Sequence, residues 1–354
     1  MIHWMNPGRT SCLPPTRSSA AALIEQPLQQ VRAMLRDLAN EVDDSIRPLA
    51  QYSALDSGKL LRPILLLLSG GAFGAIRPDH LRVATILELV HNATLLHDDV
   101  LDRGTVRRGA PTVNRLWGNR VAVRLGDVLL GKVFVRNAGL EPGIRAALGR
   151  MIRRTCDGEI CQTVHAGRFT LTEREYLAIV GRKTAALFRG ACYLGAQLAQ
   201  ASAGECRLAA RFGYNVGMAY QILDDLLDLV GDGKKLRKTL GTDLRNAKLT
   251  LPLIHALRTL AEPRRTSLRL ALQRRFVTRS ELLEVLAVSG STDYVLARIG
   301  GYTDRAAVAL GSVEPTPMKA ALLELPRTIA REAVEQSAQS LDRSSSPCRV
   351  TARG

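Results

Sequence analysis

Residues 81–102 read LRVATILELVHNATLLHDDVLD. Apolar residues recur along this stretch at helical spacing, which predicts a helix over Leu81–Leu101 that ends at Arg103-Gly104. Its end carries Asp98, Asp99 and Asp102. On a helix, residues four apart stack on one face and the intervening neighbour lies about 100° around it. Asp98 and Asp102 therefore line up, with Asp99 beside them. A solvated helix face is the ordinary reading of such a cluster. Here the neighbours Leu95, Leu96, Val100 and Leu101 are aliphatic, so the carboxylates need a compensating cation. The pattern also occurs twice. Residues 220–232 read YQILDDLLDLVGD and set Asp224, Asp225 and Asp228 among Ile222, Leu223, Leu226 and Leu227. Oxygen ligands without His or Cys select Mg²⁺ or a similar hard ion, which commonly binds through one or two carboxylates plus substrate phosphates. Two facing Asp triads suit a diphosphate held through bridging metals.

Further helices are predicted over Ala21–Leu38, Val121–Val135, Tyr176–Leu198, Cys206–Val230 and Leu249–Leu260. Breakers fall at Gly70-Gly71, Gly109-Ala110-Pro111, Glu141-Pro142-Gly143, Gly231-Asp232-Gly233 and Glu262-Pro263. Strand signals are nearly absent. Of the 354 residues, 46% are hydrophobic and only 4% aromatic, which favours an aliphatic, helical core over a β-sandwich. No repeat or composition shift divides the middle. The expectation is one all-α domain over residues 21–340, with disordered tails at 1–20 and 341–354. The first tail carries Pro7, Pro14 and Pro15, and with only Arg9 and Arg17 it is poor in Arg for a transit peptide. The apolar run Ile64–Ile76 is too short to span a bilayer. Six cysteines without a CxxC pair read as reduced thiols, which points to a cytoplasmic setting.

The net charge of +16 calls for an anionic partner: nucleic acid, anionic lipid or a phosphorylated small molecule. The placement of the cations helps to choose. Lys59 and Arg62 lie upstream of the first Asp cluster, and Arg107-Arg108 follows it. Lys183-Thr184 lies between the clusters. Lys234, Lys235, Arg237 and Lys238 follow the second, then Gly241-Thr242-Asp243 and Lys248. Arg forks and Lys point charges are the usual phosphate binders. No aromatic interleaves with the basic runs, and no nucleic-acid motif appears, so a nucleic-acid partner is not expected.

These blocks resemble the trans-polyprenyl diphosphate synthases (isoprenyl diphosphate synthases). The matching segments are GKLLRP (58–63), ELVHNATLLHDDVLDRGTVRRG (88–109), GD (126–127), GRKTAALF (181–188), YQILDDLLDLVGD (220–232) and KTLGTDLRNAKLTLPLI (238–254). They run in order over almost the whole middle of the chain. The resemblance implies a helical bundle of the isoprenoid-synthase type around a central cavity, usually a homodimer. It also implies head-to-tail condensation of isopentenyl diphosphate with an allylic diphosphate. Asp98, Asp99, Asp102, Asp224, Asp225 and Asp228 match the family's Mg²⁺-binding positions, with three ions expected when substrate is bound. Lys59, Arg62, His91 and Arg108 match the isopentenyl side. Arg107, Lys183, Thr184, Gln221, Lys238 and Lys248 match the allylic side. Tyr220 replaces a frequent Phe and Arg237 a frequent Gly. The chain end lacks the basic terminus of some relatives.

Lys183, Thr184 and Gln221 are the catalytic candidates: the Thr184 hydroxyl and Gln221 carbonyl dipoles suit a developing allylic cation. His91 reads as a phosphate donor rather than a base, and His97 as structural. In this family, bulky aromatics five or four positions before the first Asp stop short products. Here those positions are Ala93 and Thr94, and no aromatic occurs between Phe73 and Trp117. A long all-trans product of octaprenyl, heptaprenyl or solanesyl type, for a quinone side chain, is expected. A geranylgeranyl or farnesyl product is the alternative, and a non-catalytic subunit of a heteromeric synthase fits less well, since both Asp motifs are intact. A terpene cyclase normally carries an Asn/Ser/Glu motif in place of the second Asp cluster. The cationic residues left after two diphosphates are served suit peripheral contact with an anionic membrane.

Overall fold

The computed structural model describes residues 22–53, 58–231, 241–274 and 277–345. The first half contains α1 (Glu25–Asn40), α2 (Arg47–Tyr52), α3 (Leu61–Phe73) and α4 (Pro78–Leu101). A small antiparallel pair follows, β1 (Val106–Arg107) and β2 (Ala110–Pro111), then α5 (Val113–Trp117), α6 (Asn119–Ala138), α7 (Pro142–Val164), α8 (Glu173–Lys183) and α9 (Ala185–Leu198). The second half contains α10 (Ala203–Val230), α11 (Thr242–Arg245), α12 (Leu251–Thr259), α13 (Arg264–Gln273), α14 (Arg279–Val288), α15 (Ser291–Ala309) and α16 (Pro317–Ser345). The all-α expectation holds. Among the described residues, no helix is long and apolar enough to cross a membrane, and Cys156, Cys161, Cys192 and Cys206 are free thiols.

Packing follows from the apolar faces. The long α10 packs chiefly against α9 and α15; α9 also covers α3, and α4 packs against α6. The core is aliphatic, built on residues such as Leu65–Leu68, Val83, Ile86, Leu87 and Leu226, with Phe188 and Phe212 as its largest fully buried side chains. Capping boxes fix several helix starts, among them those of α8 and α10. Thr172 and Glu175 bond reciprocally at the head of α8, and Ser202 and Glu205 do so at the head of α10.

Three expectations change. Gly70-Gly71 does not break a helix: α3 runs through it. A Cβ at Gly70 would lie 2.5 Å from His80 Nε2, and one at Gly71 would lie 2.8 Å from Met318 Cγ. The glycines serve close helix packing, and the surrounding leucines carry the helix past them. The expected helix Tyr176–Leu198 is two helices, parted at Thr184 (φ −111°, ψ −53°). The periodicity continues through the break, which hid it. Third, α16 extends to Ser345, past the boundary expected at 340. Residues 1–20 and 346–354 lie outside the described residues.

Candidate active site

The first Asp motif sits where α4 ends. Asp102 is the C-cap, and its N–H bonds Asp98 O at 2.8 Å. The chain turns back at once: Gly104 N–H reaches Asp99 O at 2.8 Å, and Asn114 Nδ2 donates to Asp99 O at 3.1 Å. This leads into the β1–β2 hairpin, whose turn is Arg108-Gly109, both with positive φ (53° and 77°). A two-residue turn of that kind matches strand twist, but it strains a non-glycine residue. The hairpin folds Arg107 back onto the motif. Its Nη2 donates to Asp99 Oδ1 at 2.7 Å and its Nε at 2.9 Å. Burial raises the Asp99 pKa, and Arg107 opposes the rise. Lys248 holds both Asp102 oxygens, at 2.7 and 2.8 Å.

Lys183 closes the group from α8. It lies 2.8 Å from Glu159 Oε2, 2.9 Å from Gln162 Oε1 and 3.9 Å from Asp98 Oδ2. Burial works against its charge, but Asp98 and Glu159 outweigh burial and raise its pKa. Burial, then Asp98, pushes Glu159 up to about 6. Gly158 makes the close approach possible: a Cβ there would lie 2.3 Å from Lys183 N.

The second motif lies wholly inside α10. Asp225 is met by two neutral side-chain donors. Tyr176 O–H donates to Asp225 Oδ2 at 2.5 Å, and Gln221 Nε2 donates to Asp225 Oδ1 at 2.7 Å. The Thr184 hydroxyl donates in turn to Gln221 Oε1 at 2.6 Å. Asp243 N–H reaches Asp228 Oδ2 at 3.2 Å. Burial pushes Asp225 up to about 6 against these donors. Burial and then Asp225 and Asp228 push Asp243 up to about 8. The two motifs share one electrostatic region: Arg107 feels Asp99, Asp98 and Asp224, and Lys183 acts on both Asp98 and Asp225.

A second cationic group lies beside the first motif. Arg62 stands over the Phe188 ring, 5.2 Å from its centroid, and Phe188 packs against Tyr220 at 5.4 Å. Burial, with Arg62, Arg108 and Arg107, holds the His91 pKa well below its ordinary value, so the ring is neutral near pH 7. Lys59 is exposed, and Glu332 on α16 lies within its field and that of Asp224. Ala93 is completely buried; Thr94 is half-buried, and its hydroxyl bonds His91 O at 2.8 Å. His97 Nε2 donates to Val123 O at 3.1 Å and lies 3.6 Å from Asp127 Oδ1. Lys238, with Lys234, Lys235 and Arg237, lies outside the described residues.

Among the described residues no three acidic, His or Cys groups converge tightly enough to cage a metal by themselves. The donor set, hard carboxylate oxygens with buried and partly raised pKa values, suits Mg²⁺.

The polyprenyl synthetase family model matches residues 43–288. The chain belongs to the polyprenyl synthetase family. Octaprenyl diphosphate synthase of Escherichia coli is 31% identical over 307 residues, 86% of this chain and 95% of that one. A short chain isoprenyl diphosphate synthase of Methanothermobacter thermautotrophicus is 33% identical over 278 residues, 76% of this chain and 84% of that one. Among solved structures, a Caulobacter crescentus polyprenyl synthase complexed with calcium and isoprenyl diphosphate superposes with TM-score 0.82 at 29% identity, covering 92% of this chain and 99% of that one. The polyprenyl synthetase described here is therefore a prenyltransferase, a trans-polyprenyl diphosphate synthase.

Four site residues escaped the sequence reading: Glu88, Glu159, Tyr176 and Asp243. Glu88 and Asp243 stood inside quoted family blocks without a role. Glu159 and Tyr176 are single residues on helix faces, and only the folded chain brings them to the motifs.

Proposed function

We propose that this synthase elongates an allylic diphosphate with isopentenyl diphosphate to a long all-trans product for a quinone side chain. Asp98, Asp99, Asp102, Asp224, Asp225 and Asp228 hold Mg²⁺, three ions when substrate is present. The observation that carries this assignment is the shared field of Arg107 and Lys183 over carboxylates of both motifs. Bound Mg²⁺ supplies Lewis-acid withdrawal of charge from the allylic diphosphate.

The chain's own residues do the rest. Arg107, Lys183, Lys238 and Lys248 bind and orient the allylic diphosphate, and positive charge aimed at the leaving group stabilises it as its C–O bond breaks. The linked Thr184 and Gln221 dipoles face the carbon that becomes cationic. Lys59, Arg62, His91 and Arg108 hold isopentenyl diphosphate, with neutral His91 donating a ring N–H to phosphate. The isopentenyl double bond attacks, and the proton lost goes to the released pyrophosphate. Aliphatic helix faces exclude water, which would otherwise quench the cation.

The small Ala93 and Thr94 support the long product: a growing tail can pass down α4 without meeting an aromatic ring. A homodimer is supported by apolar side chains left exposed on two helices, Phe134 and Val135 on α6, Ile160 and Val164 on α7. Contact with an anionic membrane at the cytoplasmic face is supported by Trp117, edge-on to Tyr52 at 5.0 Å, beside exposed Arg115, Arg120 and Arg124.

One incubation tests the reading. Purified protein, isopentenyl diphosphate, farnesyl diphosphate and Mg²⁺ are expected to give products longer than geranylgeranyl diphosphate on chromatography. A product that stops at geranylgeranyl or farnesyl length overturns the long-chain reading. No elongation with any allylic primer overturns the catalytic one.

A further inference from the structure

Two residues of α7 take up the Lys183 ammonium. It lies 2.8 Å from Glu159 Oε2 and 2.9 Å from Gln162 Oε1, and stands 3.9 Å from Asp98 Oδ2. Glu159 and Gln162 are three apart on one helix, so they present their oxygens from one face. Backbone packing fixes the approach: a Cβ on Gly158 would lie 2.3 Å from Lys183 N and 2.6 Å from its Cα. The Lys183, Glu159 and Asp98 side chains are 18%, 21% and 17% exposed, so solvent screens their charges only in part.

An ammonium has three N–H donors that turn freely. At 3.9 Å Asp98 is out of hydrogen-bond reach and well within attraction. The other carboxylates of the first motif are closed by cations. Arg107 Nη2 donates to Asp99 Oδ1 at 2.7 Å, and Lys248 holds both Asp102 oxygens at 2.7 and 2.8 Å. Among the described residues no cation lies closer to the Asp98 carboxylate than Lys183. Lys183 need move only about 1 Å to close a pair like that of Lys248 with Asp102. What it would give up is its seat on Glu159 and Gln162. A carboxylate closed by an internal ammonium must shed that partner before it takes a metal.

We propose that Glu159 and Gln162 are positioning residues that hold the Lys183 ammonium off Asp98 and so keep that carboxylate open to Mg²⁺. This rests on the assignment of Asp98 to Mg²⁺ made above. The two residues separate geometry from charge. Glu159 carries a negative charge that favours a nearby metal wherever Lys183 stands. Gln162 is neutral and acts only through the position of Lys183.

The experiment uses the full chain and two readouts. Mn²⁺ stands in for Mg²⁺, its uptake followed by loss of the free-ion electron paramagnetic resonance signal, and Asp98→Asn marks the share that depends on Asp98. Glu159→Gln is expected to weaken that uptake about tenfold and Gln162→Met about threefold, the scale of losing a charged and a neutral hydrogen bond to an ammonium. In a Lys183→Met background the same substitutions are expected to change it by less than about twofold, since no ammonium is left to misplace. Losses that persist undiminished without Lys183 overturn the proposal, the effect then being one of field or fold. Unchanged uptake in both single variants overturns it too. The second readout is the crystal structure of each single variant in EDTA. Lys183 Nζ within hydrogen-bond reach of Asp98 is expected, and an ammonium that keeps its distance overturns the proposal. Should Glu159→Gln fail to fold, Gln162→Met decides the matter by both readouts. If Asp98→Asn takes up as much Mn²⁺ as the parent chain, the metal assignment of Asp98 falls, while the crystal structures still decide whether Glu159 and Gln162 hold Lys183.

Discussion

The two Asp motifs share a spacing but not an environment. The first ends a helix and is met by cations: Arg107 on Asp99 and Lys248 on Asp102. The second lies inside α10, where Asp225 accepts from a phenol and an amide and Asp228 from a backbone N–H. Cations from the chain offset the charge of the first motif. In the second, burial outweighs the neutral donors and holds Asp225 at about 6, while burial and then Asp225 and Asp228 raise the neighbouring Asp243 to about 8. The side-chain contacts of Asp225 are thus neutral ones, while those of Asp99 and Asp102 are cationic.

The largest expected effect tests whether the motifs serve one ligand. Asp98→Ala and Asp224→Ala should each cut kcat for condensation by about a hundred- to a thousandfold, the scale of losing one strong transition-state contact. A large loss in one variant and none in the other would break the idea of a shared diphosphate. A smaller effect sharpens the contrast. Tyr176→Phe removes the O–H that Asp225 accepts, so turnover at pH 6.5 should fall about tenfold and recover at higher Mg²⁺. The Mg²⁺ titration checks it. No shift in the Mg²⁺ needed for half-maximal rate would mean that the phenol does not tune the motif.

Metal-free protein gives a subtler contrast. The Asp243 carboxyl, raised by burial to about 8, keeps its proton in the folded chain where the unfolded chain has lost it. Folding then takes up protons, so this contribution is complete at low pH and is lost as the pH rises toward about 8. Melting in EDTA should show Asp243→Asn losing less stability than the parent chain between pH 5 and pH 8, about the span from an ordinary to a raised carboxyl. Comparing the two chains removes the opposing contribution of buried neutral His80 and His91. Parallel melting curves would remove the raised carboxyl from the comparison.

The same contrast explains what the sequence disclosed. Each Asp motif falls within five consecutive residues, so its helix face was legible from spacing. The cations that answer the first motif were legible because Arg107 follows within one hairpin and Lys248 within a family block. The neutral donors of the second were not. Tyr176 meets Asp225 across 49 positions, and nothing in a lone Tyr on an apolar helix announces such a contact. Glu159 is hidden for a similar reason: it reaches Lys183 only because Gly158 brings α7 onto the start of the Thr184 break. That break was itself invisible, since apolar spacing continues across it. The hairpin at Val106–Pro111 was too short for any strand signal and is set by the turn at Arg108-Gly109.

The approaches to the two motifs differ as well, and this bears on product length more than on rate. Four and five positions before the first Asp stand Thr94 and Ala93; before the second stand Tyr220 and Ala219. Tyr220 packs on Phe188, which carries Arg62 above its ring, so under the proposed assignment of Arg62 the aromatic side of the site is the isopentenyl side. That leaves α4 as the wall along which a tail can grow. Ala93 is fully buried, so a larger residue there must fill whatever space the tail would use or displace the core. Ala93→Phe should therefore shorten the product while kcat for the first condensation stays within about threefold, since the diphosphate contacts are untouched. Product chromatography reads the first quantity and single-addition kinetics the second. An unchanged product with an unchanged rate would move the length-setting floor to another helix. A shorter product at full rate would show that chemistry and length are set on different turns of one helix, with the carboxylates above and the small residues below.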